Sequence, residues 1–108
     1  MSKEVMTGKA LELAALVEYQ EGAVVSRTII DKKTGTVTLF AFDKGEGLSE
    51  HTAPFDAFID IPDGKAEVII GGEPHTVGSG EMIVMPADKP HSLKAIERFK
   101  MLLIMVRT

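Results

Sequence analysis

Short β-rich runs recur along the whole chain, and each run is followed by a turn sequence. Gly, Pro and Asp fill segments such as DKKTG, PDG and GGEP, where the chain must reverse, and β-branched residues are common in the runs between them. Only residues 10–18 show near-helical spacing of apolar side chains, which predicts a short N-terminal helix. Many short strands without a long helix indicate an all-β, antiparallel sandwich or barrel. The predicted strands are residues 23–30, 36–42, 58–61, 65–70, 81–85, 91–96 and 100–106.

Composition narrows the class of protein further. The 108 residues are enough for one domain with a core but too few for two. The net charge is -4 and basic residues form no cluster, which argues against a nucleic-acid partner. The absence of cysteine excludes disulfides and thiolate ligands and fits a reducing compartment. The longest apolar run, residues 101–106, is too short to cross a bilayer. These features predict a soluble, cytoplasmic protein that is not associated with a membrane.

Two histidines are placed so that they can converge. His51, Ala53 and, beyond the Pro54 kink, Ala57 share strand parity, so we expect them to face one side of a sheet. If His91 faces the same interior from a neighbouring strand, the two imidazoles meet there. Asp56 is one position out of phase and should point to the opposite face.

The stretches that carry these histidines resemble the two motifs of the cupin family, which are small jelly-roll barrels. The first family pattern is G(X)5HXH(X)3-4E(X)6G, and residues 45–64 follow it with alanine at the second histidine and at the glutamate. The second pattern is G(X)5PXG(X)2H(X)3N, and residues 80–95 follow it with Asp88 at the glycine and Ala95 at the asparagine. The resemblance implies a single cupin domain over residues 1–108, an antiparallel barrel of two packed sheets. The residues that match the patterns are Gly45, His51, Gly64, Gly80, Pro86 and His91.

The resemblance also implies a metal site that this sequence has reduced. In the family, three histidines and one glutamate bind Fe, Mn, Ni or Zn, whereas this chain keeps only His51 and His91. Catalytic metal sites usually need three protein ligands and an open position. His75 is the only other imidazole, and a histidine beside a GGEP turn is more often an edge or surface residue. We therefore expect either no metal or a weakly bound divalent ion (Zn, Ni, Mn or Fe).

Two functions stay open at this point. The first is a barrel that binds a small polar molecule, such as a sugar or a carboxylate, in a pocket formed by five residues. The second is a metal-dependent enzyme (an oxygenase, an isomerase or a sugar-acid-processing protein) whose catalytic residues the sequence does not identify. The histidines could also simply hydrogen-bond to each other or to water inside a packed barrel. The five predicted pocket residues are His51, Ala53, Ala57, His91 and Leu93, and the expected packing residues are Met82, Met85, Met101, Met105, Phe55 and Phe58.

The apolar run at residues 23–30 predicts the oligomeric state. It precedes the first motif and would form an exposed edge strand of a minimal barrel, and exposed edges pair with other chains. We expect a homodimer with two-fold symmetry. Sedimentation of the purified protein at micromolar concentration tests this, and a monodisperse monomer would contradict it.

Overall fold

A computed structural model describes residues 7–107, which form eight strands and one 3₁₀ turn at Leu13–Leu16. The predicted all-β fold is confirmed, and the strand boundaries agree with the turn signals in most places. Two strands are missing from the predicted set: Gly47–His51, which lies in a segment of glycines and charged residues, and Glu73–Gly78, which overlaps the GGEP turn. The strands are β1 (Val24–Lys32), β2 (Gly35–Phe42), β3 (Gly47–His51), β4 (Ala57–Ile70), β5 (Glu73–Gly78), β6 (Met82–Met85), β7 (His91–Lys94) and β8 (Phe99–Val106).

The strands form one antiparallel sheet that curls into two packed layers. The first layer has the order β1-β2-β8-β4-β6, and only the first half of β4 takes part in it. The second layer has the order β3-β7-β4-β5 and uses the second half of the same strand. The predicted jelly-roll barrel is therefore present, with β4 shared by its two layers.

The Pro62-Asp63-Gly64 segment was predicted as a turn, and this was wrong. Strand β4 continues through it for 14 residues and bends instead of reversing. The pairing of β4 with β8 shifts register between Asp60 and Asp63, a β-bulge of the kind that bends strands where a sheet folds over. Gly64 has a φ of 81°, and a Cβ built on it would lie 2.2 Å from the carbonyl oxygen of Arg98. Only glycine fits this corner without strain.

The expected N-terminal helix is a single 3₁₀ turn of four residues. The backbone is extended at Val17, directly after the turn, and two carbonyl groups of the turn accept hydrogen bonds from side chains of the sheet. Arg27 Nη1 donates to the Leu16 carbonyl at 2.8 Å, and Lys100 Nζ donates to the Ala14 carbonyl at 2.5 Å. Arg27 is thereby fixed to the N-terminal segment. This segment also covers Leu39 and Ala41 on the outer face of the first layer.

The main core lies between the layers and is rich in residues that alternate along β2, β4 and β8. The rings of Phe42 and Phe99 stack at its closed end, with centroids 4.5 Å apart. Met85 and Met101 are buried as the packing hypothesis expects, but Met82 is 49% exposed. Phe55 and Phe58 line a groove on the outer face instead of the interior. Phe58 lies between the buried residues Ala57 and Ile59, so the alternation of the strand turns it outward.

Two further sequence predictions concern the surface. Strand β1 pairs only with β2 within residues 7–107 and lies at the edge of its layer, as expected. In the same range, no helix is long and apolar enough to span a membrane. The cytoplasmic location stays a prediction.

The bend at Gly64 leads to a test of stability. We expect Gly64→Ala to lower the free energy of unfolding by roughly 3 kcal/mol, because the new Cβ adds a backbone clash to the strain of a positive φ. Gly80→Ala is the matched control, since Gly80 has a φ of 85° and a Cβ added there would meet no atom within 4 Å. That variant should lose only about 1 kcal/mol. Urea unfolding followed by circular dichroism measures both, and equal losses would contradict the role of the corner.

Candidate functional site

The imidazoles of His51 and His91 meet at the open end of the barrel. His51 ends β3, His91 begins β7, and the two residues are Cα partners across the ladder. Their Nε2 atoms lie 3.1 Å apart, and the ring planes cross at 71°. His91 is only 4% exposed, whereas His51 is exposed at the mouth. The structure thus brings the two predicted histidines together.

A bulge in β3 places His51 in this position. Leu48 is opposite Leu93 and His51 is opposite His91, so three steps along β3 match two along β7. In a regular strand Leu48 and His51 would face opposite sides, because their separation is odd. The extra residue brings both side chains to the interior.

The histidines open onto a cavity of about 110 Å³ between the layers. All five residues predicted for the pocket line it. The sequence did not assign the other five to the pocket, although three of these were predicted to pack inside the barrel. Leu48 was missed because β3 was not predicted, and Leu103 shares the parity of Met101 and Met105, which was a usable signal. The lining residues are Leu48, His51, Ala53, Ala57, Met85, His91, Leu93, Met101, Leu103 and Met105.

Backbone carbonyls fix the protonation of both rings. Nδ1 of His51 lies 2.8 Å from the Ser49 carbonyl oxygen, and Nδ1 of His91 lies 3.2 Å from the Lys89 carbonyl oxygen. A carbonyl only accepts, so each Nδ1 must carry a proton and donate it. A neutral imidazole has one N–H, which leaves both Nε2 atoms bare and facing each other. The two contacts to carbonyl groups and the contact between the Nε2 atoms each need one proton, which makes three. Two neutral rings supply only two protons.

Burial acts on the protonation of His91. Desolvation lowers the pKa of His91, the bond from its Nδ1 to the Lys89 carbonyl raises it, and the neighbouring charge of His51 lowers it again. Burial therefore favours the neutral form of this ring.

In the part of the chain that the structure describes, the other donors expected of a metal site do not lie beside His51 and His91. Ala53 and Ala57 line the cavity with methyl groups where the motif resemblance implies histidine and glutamate. Asp56 points away, as predicted, and its Oδ1 accepts a hydrogen bond from the Ala87 amide at 2.8 Å. His75 is exposed on β5, and β4 separates that strand from β7. Across residues 7–107 no three His, Cys, Asp or Glu side chains are grouped to hold a metal. Two imidazoles do not fit a firmly held ion.

The loop before β7 is tied to the loop after β3. Asp88 stands where the second motif has glycine, and its φ of 64° is the left-handed conformation that aspartate tolerates better than most residues. Its amide donates to the Ala53 carbonyl at 2.8 Å. This bond holds the wall of the cavity beside both histidines.

The barrel fold, the two sequence motifs and a match to a family model point to the same family. Residues 38–107 match the model described as a cupin domain. This chain belongs to the cupin family.

Solved structures resemble it over most of its length. A conserved protein of unknown function from Streptococcus pyogenes is 39% identical with a TM-score of 0.90, covering 94% of this chain and 89% of that one. A cupin 2 conserved barrel domain protein from Leptotrichia buccalis is 44% identical with a TM-score of 0.87, covering 90% of this chain and 47% of that one. A salicylate 1,2-dioxygenase from Pseudaminobacter salicylatoxidans is 16% identical with a TM-score of 0.72, covering 79% of this chain and 26% of that one, a likeness of fold alone. A search of curated proteins gave no match.

The histidine contact of this cupin predicts a coupled titration. In His51→Ala we expect the pKa of His91 to rise, because the neighbouring charge is removed and water reaches the buried ring. Histidine NMR titration of the wild type and the variant measures the change. His75→Ala is the control and should leave His91 unaffected. An identical His91 titration in wild type and His51→Ala would contradict the coupling.

Proposed function

We propose that this cupin binds a small molecule in the barrel, at His51 and His91, with a metal centre that is weak or absent. The observation that carries the proposal is the cavity of about 110 Å³ onto which both imidazoles open. The bare Nε2 atoms are the polar groups that a ligand meets there, and the methionine and leucine side chains supply an apolar wall. Ligand sites of this kind combine an apolar lining with a few convergent polar groups.

The reduced metal centre follows from the number of donors. Two imidazoles leave a divalent ion coordinated mainly by water, so the ion dissociates readily. Ala53 and Ala57 stand where the family motif has a histidine and a glutamate, so these two metal donors are missing. Their methyl side chains are smaller and leave more space in the cavity. The same substitutions thus weaken metal binding and make room for a ligand.

A metal-dependent enzyme is the second candidate, and the orientation of the rings favours it. Each Nδ1 donates to a carbonyl and leaves Nε2 free, which is the usual arrangement of metal-ligating histidines. A substrate would have to supply the third donor to Zn, Ni, Mn or Fe. The distant salicylate 1,2-dioxygenase makes an oxygenase one of the reactions to test. No catalytic residue is assigned.

A homodimer is also part of the proposal. Within residues 7–107, strand β1 leaves one side unpaired at the edge of its layer. Ile30 on this strand and Val106 on β8 are 43% and 55% exposed, and both line the same shallow surface. A second copy paired along β1 would cover this edge.

Metal analysis separates the two candidates. Protein purified without a histidine tag should contain well under one equivalent of transition metal. Ala53→His with Ala57→Glu should raise occupancy towards one equivalent, because it restores two donors beside His51 and His91. The matched control is Thr52→His with Asp56→Glu, which places the same two side chains at the neighbouring positions of the loop, and Asp56 points away from the cavity.

Elemental analysis after dialysis against a chelator measures the metal content of all three proteins. Stoichiometric, chelator-resistant metal in the wild-type protein would overturn the reduced centre and favour the enzyme. Equal occupancy in the two double variants would show that the added donors do not converge in the barrel.

A further inference from the structure

We infer that the ligand is a small alcohol, a compact hydrocarbon body with a single hydroxyl group and roughly six heavy atoms or fewer. This inference rests on the proposed function and names the class of molecule that the same cavity accepts. Three features of the cavity carry it: its volume, the apolar character of its lining and the position of its polar groups at the mouth.

The volume of the cavity limits the size of the ligand. The cavity measures about 110 Å³, whereas an apolar cavity of about 150 Å³ in another protein accepts benzene. A hexose has about twice as many heavy atoms as benzene and does not fit in this space. The sugar that the sequence left open is therefore too large.

The lining limits the number and kind of polar groups in the ligand. Except at His51 and His91, the cavity meets alanine, leucine and methionine side chains. Each hydroxyl beyond the first would lie against these side chains without a hydrogen-bond partner, which weakens binding by roughly tenfold. Among residues 7–107, no Lys, Arg, Asp or Glu lines the cavity. An ionic ligand would therefore lose its hydration without a permanently charged partner.

The two imidazoles lie where one polar group of a ligand can reach them. His51 is exposed at the mouth and His91 is buried beside it, with the Nε2 atoms 3.1 Å apart. A hydroxyl group both donates and accepts, so it forms a hydrogen bond with Nε2 whether or not this nitrogen carries a proton. The choice of a hydroxyl therefore does not depend on the protonation of the histidines.

The hydrocarbon body of the ligand then extends into the barrel. Met101 and Met85 line the cavity and are 0% and 4% exposed, so this part of the lining is closed to bulk water. Methionine adapts to an irregular apolar body because its side chain is unbranched and flexible. Removal of the hydrocarbon from water against these side chains supplies the binding free energy.

Methionine methyl NMR of the wild-type protein tests this inference with defined probes. Isobutanol carries one hydroxyl on a compact body and should shift the Met85 and Met101 methyl resonances. Glycerol and isobutyrate are similar in size, but the first adds hydroxyls and the second replaces the hydroxyl with a carboxylate, so both should bind at least roughly tenfold more weakly. Cyclohexylmethanol keeps the single hydroxyl on a bulkier body and should shift neither resonance. Met82, which is 49% exposed on the outside of the barrel, is the internal reference.

Two variants check the location of the site. Ala57→Leu fills the cavity and should abolish the isobutanol shifts, and Ala53→Val serves the same purpose if the first variant does not fold. His75 lies on β5 and does not line the cavity, so His75→Ala should bind isobutanol as the wild type does.

The outcomes separate the ligand class from the binding function. Binding of glycerol, isobutyrate or cyclohexylmethanol as tight as that of isobutanol would overturn the ligand class and leave the binding function standing. Isobutanol shifts that persist in Ala57→Leu would also overturn the inference. If no probe shifts the cavity methionines, the proposed binding function fails as well.

Discussion

Strand β4 belongs to both layers of the barrel, and the rest of the structure depends on its bend at Gly64. The first half places Ala57 in the cavity and pairs with β6 and β8. The second half pairs with β5 and β7 and sets Ile70 opposite His91. Because one continuous strand makes both sets of hydrogen bonds, the layers cannot slide relative to each other without breaking a ladder. The shared strand therefore sets the relative position of the two layers that enclose the cavity.

The barrel holds the imidazoles of His51 and His91 in contact through their Nε2 atoms. Two neutral rings have no proton left for a hydrogen bond between these atoms. The carbonyl groups of Ser49 and Lys89 require a proton on each Nδ1, and the remaining contact joins two bare Nε2 atoms. In a complete cupin motif, further donors would surround this point, and a metal ion would supply the positive charge. Here alanine occupies those positions. The contact between the two imidazoles is therefore the polar centre of a cavity that is otherwise lined by apolar side chains.

Much of the fold and the centre of the site could be predicted from the sequence. The turn residues marked most strands, and the motif spacing placed His51 and His91 at one cavity. The assumed strand parity of His51, Ala53 and Ala57 was wrong, because residues 52–56 form a loop between β3 and β4. The errors have local causes. Strand β3 contains a bulge, so its parity changes inside a polar segment, and Leu48 was missed. The PDG segment normally indicates a chain reversal. Here the strand bends at Gly64 and continues, and the start of β8 packs directly against this glycine. Phe58 looked like a core residue, yet its neighbours Ala57 and Ile59 take the interior.

The protonation of the two rings in the ligand-free protein tests the central claim most directly. Long-range ¹H–¹⁵N NMR of the imidazole nitrogens, followed from about pH 8 to about pH 5, shows which atom carries each proton. We expect Nδ1 of both His51 and His91 to stay protonated throughout, and the proton gained on acidification to appear at Nε2. A ring that carries its neutral-state proton on Nε2 at the alkaline end would contradict the claim, because the contact between the rings would then already be satisfied.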